Sequence, residues 1–368
     1  MGKLTVAIVF GGRSVEHEIS LISAKSILAN LDTTQFRPFP VFIEKTGAWR
    51  LANTESWLTG GEPRIERSSV LSPSLDPGIP VIYEIAPDTI LKEHRVDVIF
   101  PILHGPGGED GSIQGVLDLM GVPFVGAAVL GSSVAMDKIV TKAVLKEAGI
   151  PVLDYTWLNK HEWEIDRTDM LERVLSAVGV PCFVKSANLG SSVGITRVNI
   201  KQELEAAVEL AARYSRRILV EHAVIDGREI EVAVLGNDSP VASLPGEIIP
   251  HREFYDYRAK YLEVGTDLIA PADLSEETVE RLQDYSIRAF KALDCAGMCR
   301  ADFFLEGSSE EIYLSEINTI PGFTHISMYP RLWEATGLEY SELITRLIRL
   351  AIERNEQVKA LETDYEED

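Results

Sequence analysis

The chain has 368 residues, a length at which two or three domains are expected in place of one core. Its composition, 45% hydrophobic and 25% charged, is that of a globular protein, and its net charge of −22 would repel a nucleic-acid backbone. No stretch approaches the roughly 18 apolar residues of a membrane span. The N-terminus shows no charged leader followed by an apolar core, and Cys182, Cys295 and Cys299 lack CxxC spacing, so a cytoplasmic protein with reduced, buried thiols is expected.

Leu4–Phe10 (LTVAIVF) is a continuous apolar run and reads as a central strand of a parallel sheet. Gly11-Gly12-Arg13-Ser14 then turns into helical periodicity from Glu16 to Leu31, the strand, glycine turn and helix end of a dinucleotide-binding opening. GxGxxG spacing is absent, which argues against a nicotinamide site. Glu16, His17 and Glu18 fall in the first helical turn, where the helix dipole favours acids anyway, so a special role for Glu16 needs other support. Arg37–Ile43 reads as a second strand, and residues 50–80, rich in Pro, Ser and Gly, as a surface excursion. Val96–Leu103 is another buried strand. It runs into the glycine-dense loop His104–Gly111 and the helix Ser112–Met120, a common place for substrate groups in open α/β sheets, which makes His104 a ligand-contact candidate.

A helix is predicted from Val134 to Ala148, stopped by Gly149 and Pro151, with a domain boundary near Gly131–Ser133. Lys138, Lys142 and Lys146 recur at every fourth position on it and most simply form a solvated face. Val180–Lys185 reads as a strand ending in lysine, and Ser186–Gly194 as a small-residue loop suited to covering phosphates, although GxxxxGK[ST] is absent. Lys201–Tyr214 has helical periodicity and Arg217–Glu221 that of a strand; alternation along Arg228–Leu235 puts Glu229 and Glu231 on one face. Gly246–Asp267, long, polar and aromatic, reads either as a lid or as a mobile surface insertion. Helices are expected at Glu276–Leu293 and Tyr340–Glu353, with a fraying acidic tail.

Between these helices, Arg300–Leu305 and Ile312–Ile317 flank the polar segment EGSSEE and read as an antiparallel hairpin. Alternation puts Arg300, Asp302 and Phe304 on one face, and Leu314, Glu316 and Asn318 on one face of the return strand. With the turn centred on Ser309, Asp302 lies opposite Glu316 and Arg300 opposite Asn318. Facing carboxylates repel, so a cation between them is one explanation. Two carboxylates and an amide oxygen suit Mg²⁺ or Mn²⁺ better than zinc. A plain solvated hairpin face is the other explanation. The turn Asn318-Thr-Ile-Pro-Gly322 offers a glycine amide to a reacting oxyanion.

HGPGGEDGSIQG (104–115), GSSVG (190–194), FYDYRAKY (254–261) and the RAD…EINTIPG hairpin stand together in the order seen in D-alanine–D-alanine ligases of the ATP-grasp superfamily. The chain closely resembles that family over nearly its whole length, apart from roughly residues 50–90 and the tail. The resemblance implies an α/β chain with a Rossmann-like N-terminal domain (1–133), a central ATP-grasp subdomain (134–224) and a C-terminal one (225–368). It implies ATP-dependent joining of two D-alanines through an acyl phosphate, with two divalent metals, Mg²⁺ or Mn²⁺, in a homodimer. Lys138 and Lys185 would hold ATP phosphates; Glu221, His222, Val224 and Glu229 would contact adenine and ribose. Asp302, Glu316 and Asn318 would bind the metals, and Arg300 with the Gly322 amide would stabilise the oxyanion. Glu16, Ser191 and Tyr261 would order the first subsite, with His104 near the first D-alanine. Lys260 would reach the γ-phosphate and Ser327 the second carboxylate. Ser186, His222 and Cys299 depart from the usual family residues, His222 in the implied adenine pocket. The rival readings are a D-alanine–D-lactate ligase, disfavoured by Lys260-Tyr261, another ATP-grasp carboxylate–amine ligase, and a non-catalytic nucleotide binder.

Overall fold

The computed structural model describes residues 2–61, 63–190, 194–250, 266–307 and 310–362. The first apolar run forms strand Leu4–Gly11, buried from Thr5 onward. It pairs in parallel with Phe36–Ile43 on one side and Val98–Ile102 on the other. Continuous burial of a strand requires cover on both faces, which is why this run lacks polar alternation. Trp49–Asn53 and Arg64–Ile65 extend the sheet antiparallel. Residues 70–73, 81–86 and 89–95 form a separate three-stranded sheet. The stretch 50–80 is therefore not simply a surface excursion; Ala52 and Leu71 are buried. Its strands are two to five residues long, too short for alternation to stand out.

The helix expected over Val134–Ala148 is two helices, Val129–Met136 and Lys138–Glu147. Asp137 separates them in an extended conformation, and its side chain accepts from the Ile139 and Val140 amides at 3.1 Å each. An aspartate N-cap explains the restart. Gly131–Ser133 lie inside the first of the two helices. The next sheet is antiparallel, in the order Thr196–Val198, Cys182–Ser186, Arg217–His222, Tyr155–Asn159.

A fourth sheet carries Thr266–Ile269, Gly246–Pro250, Gly227–Gly236, Gly297–Glu306 and Ile312–Asn318 in that order. The two ends of Gly246–Asp267 thus pair as strands; residues 251–265, which carry the lid expectation, lie outside the described residues. In the last strand pair Arg300 faces Asn318 and Asp302 faces Glu316, as the turn-centred register predicts. Beyond Asp302 the register slips, so that Phe303 faces Leu314. Ser315 is the extra residue, a β-bulge that turns the following side chains over. Leu314 consequently leaves the face of Glu316 and is buried with Phe303 in the core beneath helix Glu276–Ala292.

The last helix, Tyr340–Lys359, runs longer than its expected end and packs back on the N-terminal sheet. Leu343, Ile344, Leu347 and Ile348 share one core with Val6, Ile8, Phe10, Val98 and Phe100. The three cysteines are buried and unbridged.

Candidate active site

Helix Lys138–Glu147 presents two of its lysines inward. Lys138 Nζ donates to the Leu189 carbonyl at 3.0 Å and lies 3.0 Å from Glu316 Oε2. Burial disfavours its charge, but Glu316, with Glu221 and Glu109, outweighs that and raises its pKa. One turn on, Lys142 is fully buried, with Nζ 2.9 Å from Glu221 Oε2. Lys185 takes the other oxygen of that carboxylate. Burial alone would push Glu221 up, yet Lys142 and Lys185 hold it at about 2. The lysine row is therefore not a solvated face: only Lys146 is exposed. Spacing gave no sign of this, because the partner of Lys142 comes from a distant strand.

Lys138 reaches a cleft also lined by Glu16, Glu109, Gly190, Arg300, Glu316 and Asn318. Arg300 lies in a fork against Asp302, with both N···O separations 2.7 Å, and its Nε is 3.1 Å from Glu231 Oε2. Glu231, on the neighbouring strand directly across from Asp302, is a site residue that sequence reading placed on a face without giving it a partner. Asp302 and Glu316 thus face each other and each is held by a cation, Arg300 and Lys138 respectively. Asn318 Oδ1 accepts from the Ile320 amide at 3.0 Å as the chain leaves the strand. Among the described residues no group of three or more His, Cys, Asp or Glu gathers as a metal site. The donor set here is two carboxylates and an amide oxygen, all hard ligands, and it fits a divalent oxygen-seeking cation once Arg300 and Lys138 give way.

Glu16 stands at the N-cap position of helix His17–Asn30 but makes no side-chain cap bond. It is buried, whereas Glu18 is exposed and pairs with Lys45 at 2.9 Å. The dipole account therefore covers Glu18 and not Glu16. Two loops close on its carboxylate. Gly105, at φ +76°, passes so near that a Cβ there would collide with it, and a Cβ on Gly190 would lie 3.7 Å from Oε2. Glu109, which the sequence reading did not single out within GEDG, is pushed up to about 8 by burial and by Glu16 beside it, although the Gly105 amide donates to it at 2.5 Å.

His104 is pinned between helix His17–Asn30 and the turn after Asn318. Its Nδ1 is 3.0 Å from the Ile320 carbonyl and therefore donates; its Nε2, 3.2 Å from Ser23 Oγ, accepts. Ser23 Oγ accepts in turn from the Phe323 amide at 3.3 Å. Burial drives His104 down to about 4, so the ring is neutral. In the same turn, Ser327 Oγ takes the Thr324 amide at 3.1 Å, and a Cβ on Gly322 would lie 3.0 Å from it. Glu221 is buried at the end of strand Arg217–His222, His222 is exposed, and Val224 and Glu229 are half-buried nearby. Ser191, Lys260 and Tyr261 lie outside the described residues.

The family model described as D-ala D-ala ligase N-terminus matches residues 5–127, and that described as D-ala D-ala ligase C-terminus matches residues 144–349. A D-alanine–D-alanine ligase of Natranaerobius thermophilus is 46% identical, with all of both chains covered. One from Clostridium acetobutylicum is 47% identical over 96% of this chain and 99% of its own. Among solved structures, the D-alanine-D-alanine ligase from Coxiella burnetii superposes with a TM-score of 0.85 at 38% identity, covering 98% of this chain and 97% of that one. VanG D-Ala:D-Ser ligase from Enterococcus faecalis gives 0.84 at 34% identity, over 95% of this chain and 100% of that one.

Proposed function

Since the chain belongs to the D-alanine–D-alanine ligase family, we propose that its cleft carries out the ATP-dependent joining of two D-alanines, the peptide-forming step that supplies D-alanyl-D-alanine for cell-wall precursors. The observation that carries this reading is the meeting of Glu16, Lys138, Arg300, Glu316 and Asn318 in one cleft, with Asp302 held opposite Glu316. The fold is the ATP-grasp arrangement of the family's solved members. Its proposed units are residues 1–133, 134–224 and 225–368, and the protein acts in the cytoplasm as a homodimer.

The carboxylate of the first D-alanine attacks the γ-phosphorus of ATP; the bond to the bridging oxygen breaks, leaving an acyl phosphate and ADP. The amine of the second D-alanine then attacks the acyl carbon. The tetrahedral intermediate expels phosphate, and the nitrogen loses a proton. Phosphoryl transfer of this kind depends on positioning and charge neutralisation more than on a covalent nucleophile. Lys138 and Lys185 hold the phosphates, and Glu221, His222, Val224 and Glu229 take the adenine and ribose. Asp302, Glu316 and Asn318 would hold the two Mg²⁺ or Mn²⁺ ions, whose positive charge would offset that of the phosphoryl oxygens. Arg300 and the Gly322 amide point donors at the developing oxyanion. Glu16, with Ser191 and Tyr261, fixes the first D-alanine near His104. Lys260 and Ser327 serve the γ-phosphate and the second carboxylate.

The test is phosphate release from ATP and Mg²⁺, with D-alanine, L-alanine, or D-alanine plus D-serine or D-lactate offered separately. Release with D-alanine alone, giving the dipeptide, is expected. Silence with D-alanine but turnover to a mixed product would reject the acceptor. Asp302→Asn is expected to lose at least about a hundredfold in kcat while melting normally, since it removes a charged ligand at the reacting phosphate. An unchanged rate at saturating Mg²⁺ would remove Asp302 from the metal set.

A further inference from the structure

One buried charge in this region has no part in the ligation chemistry above. Lys142 lies one helical turn beyond Lys138, is 0% exposed, and approaches Glu221 Oε2 at 2.9 Å without a well-directed hydrogen bond. Glu221 is itself 1% exposed, and its other oxygen is held by Lys185, the member of the trio nearest the surface at 10% side-chain exposure. Tyr155 and Phe183, the two residues that flank Glu221 across its strand, stand beside the lysines: Lys142 Nζ is 5.9 Å from the Tyr155 ring centre and Lys185 Nζ 5.5 Å from that of Phe183. The order from core to surface is thus lysine, carboxylate, lysine.

We propose that Lys142 is a positioning residue for the nucleotide, the permanent counter-ion of Glu221 that leaves the Lys185 ammonium available to ATP phosphates. The inference rests on the reading of Lys185 as a phosphate ligand. One carboxylate needs one cation, and this one has two. If Lys185 were its only partner, turning towards a phosphate would strand a buried carboxylate, and the pair would hold the lysine back. With Lys142 behind it, Glu221 stays compensated whichever way Lys185 leans. A purely structural ion pair would not need the second lysine; a methionine of similar length would fill the same space without a buried charge. Lys142 cannot touch the ligand itself, so its effect passes through Glu221.

The experiment compares ATP and adenosine binding by calorimetry, and the KM for ATP against that for D-alanine, in the full-length protein. Lys142→Met is expected to weaken ATP about tenfold, the size of one charge-assisted hydrogen bond, while adenosine binding and the KM for D-alanine stay within about twofold. Lys142→Arg is expected to recover most of the loss. Unchanged ATP affinity in Lys142→Met would overturn the proposal, as would equal losses for ATP and adenosine, the mark of a general structural role. Should Lys142→Met not fold, Lys142→Met/Glu221→Gln is compared with Glu221→Gln. With the carboxylate gone no counter-ion is needed, so the ATP-to-adenosine ratio of the two variants is expected to agree within about twofold, and a tenfold fall would overturn it. Wild-type protein that binds adenosine but gains nothing from the phosphates would instead remove the reading of Lys185 on which the inference stands.

Discussion

His104 is a histidine kept neutral by where it lies, and that has a sign. Its pKa is depressed from 6.5 in the unfolded chain to about 4, so between those values the unfolded state binds more protons and stability falls as pH falls. The expected loss from pH 6.5 to pH 4 is about 3 kcal/mol. Glu109, raised to about 8, works in the opposite direction, its contribution being lost as pH rises from 4.5 through 8. The two overlap, so the clean measurement is a difference: denaturant unfolding of wild type and His104→Gln at several pH values. The glutamine variant is expected to lack the acid-side decline; parallel curves would mean that His104 is charged in the fold. At this scale legibility in the sequence was uneven. The facing of Asp302 and Glu316 could be read from strand alternation together with the position of the turn, because a period of two and a fixed turn leave little freedom. Glu16 could not, since acids at a helix start have a generic cause, and only family resemblance singled it out. Lys142 was misread outright: a lysine is buried only where a carboxylate meets it, and Glu221 lies far along the chain.

At the scale of elements, Asp137 does two jobs in one position. It caps helix Lys138–Glu147 and pairs through Oδ2 with Arg217 at 2.5 Å, so it fixes where both inward lysines sit. Asp137→Ala is expected to cost about 1 kcal/mol in unfolding free energy, the usual size of a lost N-cap, and to raise the KM for ATP more than that for D-alanine. Equal effects on both constants would separate the cap from the lysines. The hairpin makes the complementary point about legibility. Its register at Arg300 and Asp302 followed from the turn, but the bulge at Ser315 did not, because a single extra residue leaves the pattern of apolar and polar residues nearly unchanged on paper. The split at Asp137 was hidden for a similar reason: apolar periodicity continues through it, and only the capping bonds mark the break.

Across the whole molecule, the first and last elements share a core. Leu343, Leu347 and Ile348 cover the face of the sheet that Val6, Ile8 and Phe10 present. Tyr340 ties the junction, its hydroxyl donating to the Phe323 carbonyl and lying 3.1 Å from Ser26 Oγ. Ending the chain after Leu338 is expected to leave the amides of residues 6–10 exchanging freely in hydrogen-exchange measurements, although they are protected in the full chain. Protection surviving the truncation would mean that the sheet is stable without its cover. Long-range closure of this kind has no local signature; the helix was readable, but not the surface it serves. It also bears on synthesis. The first strand leaves the ribosome early, yet its apolar face, met first by Ala24, Ile27 and Leu28 of the next helix, is not fully covered until the segment around Ala351 has emerged. Through most of translation the nascent chain therefore carries an incompletely covered hydrophobic face, which closes only once the segment around residue 351 has cleared the exit tunnel.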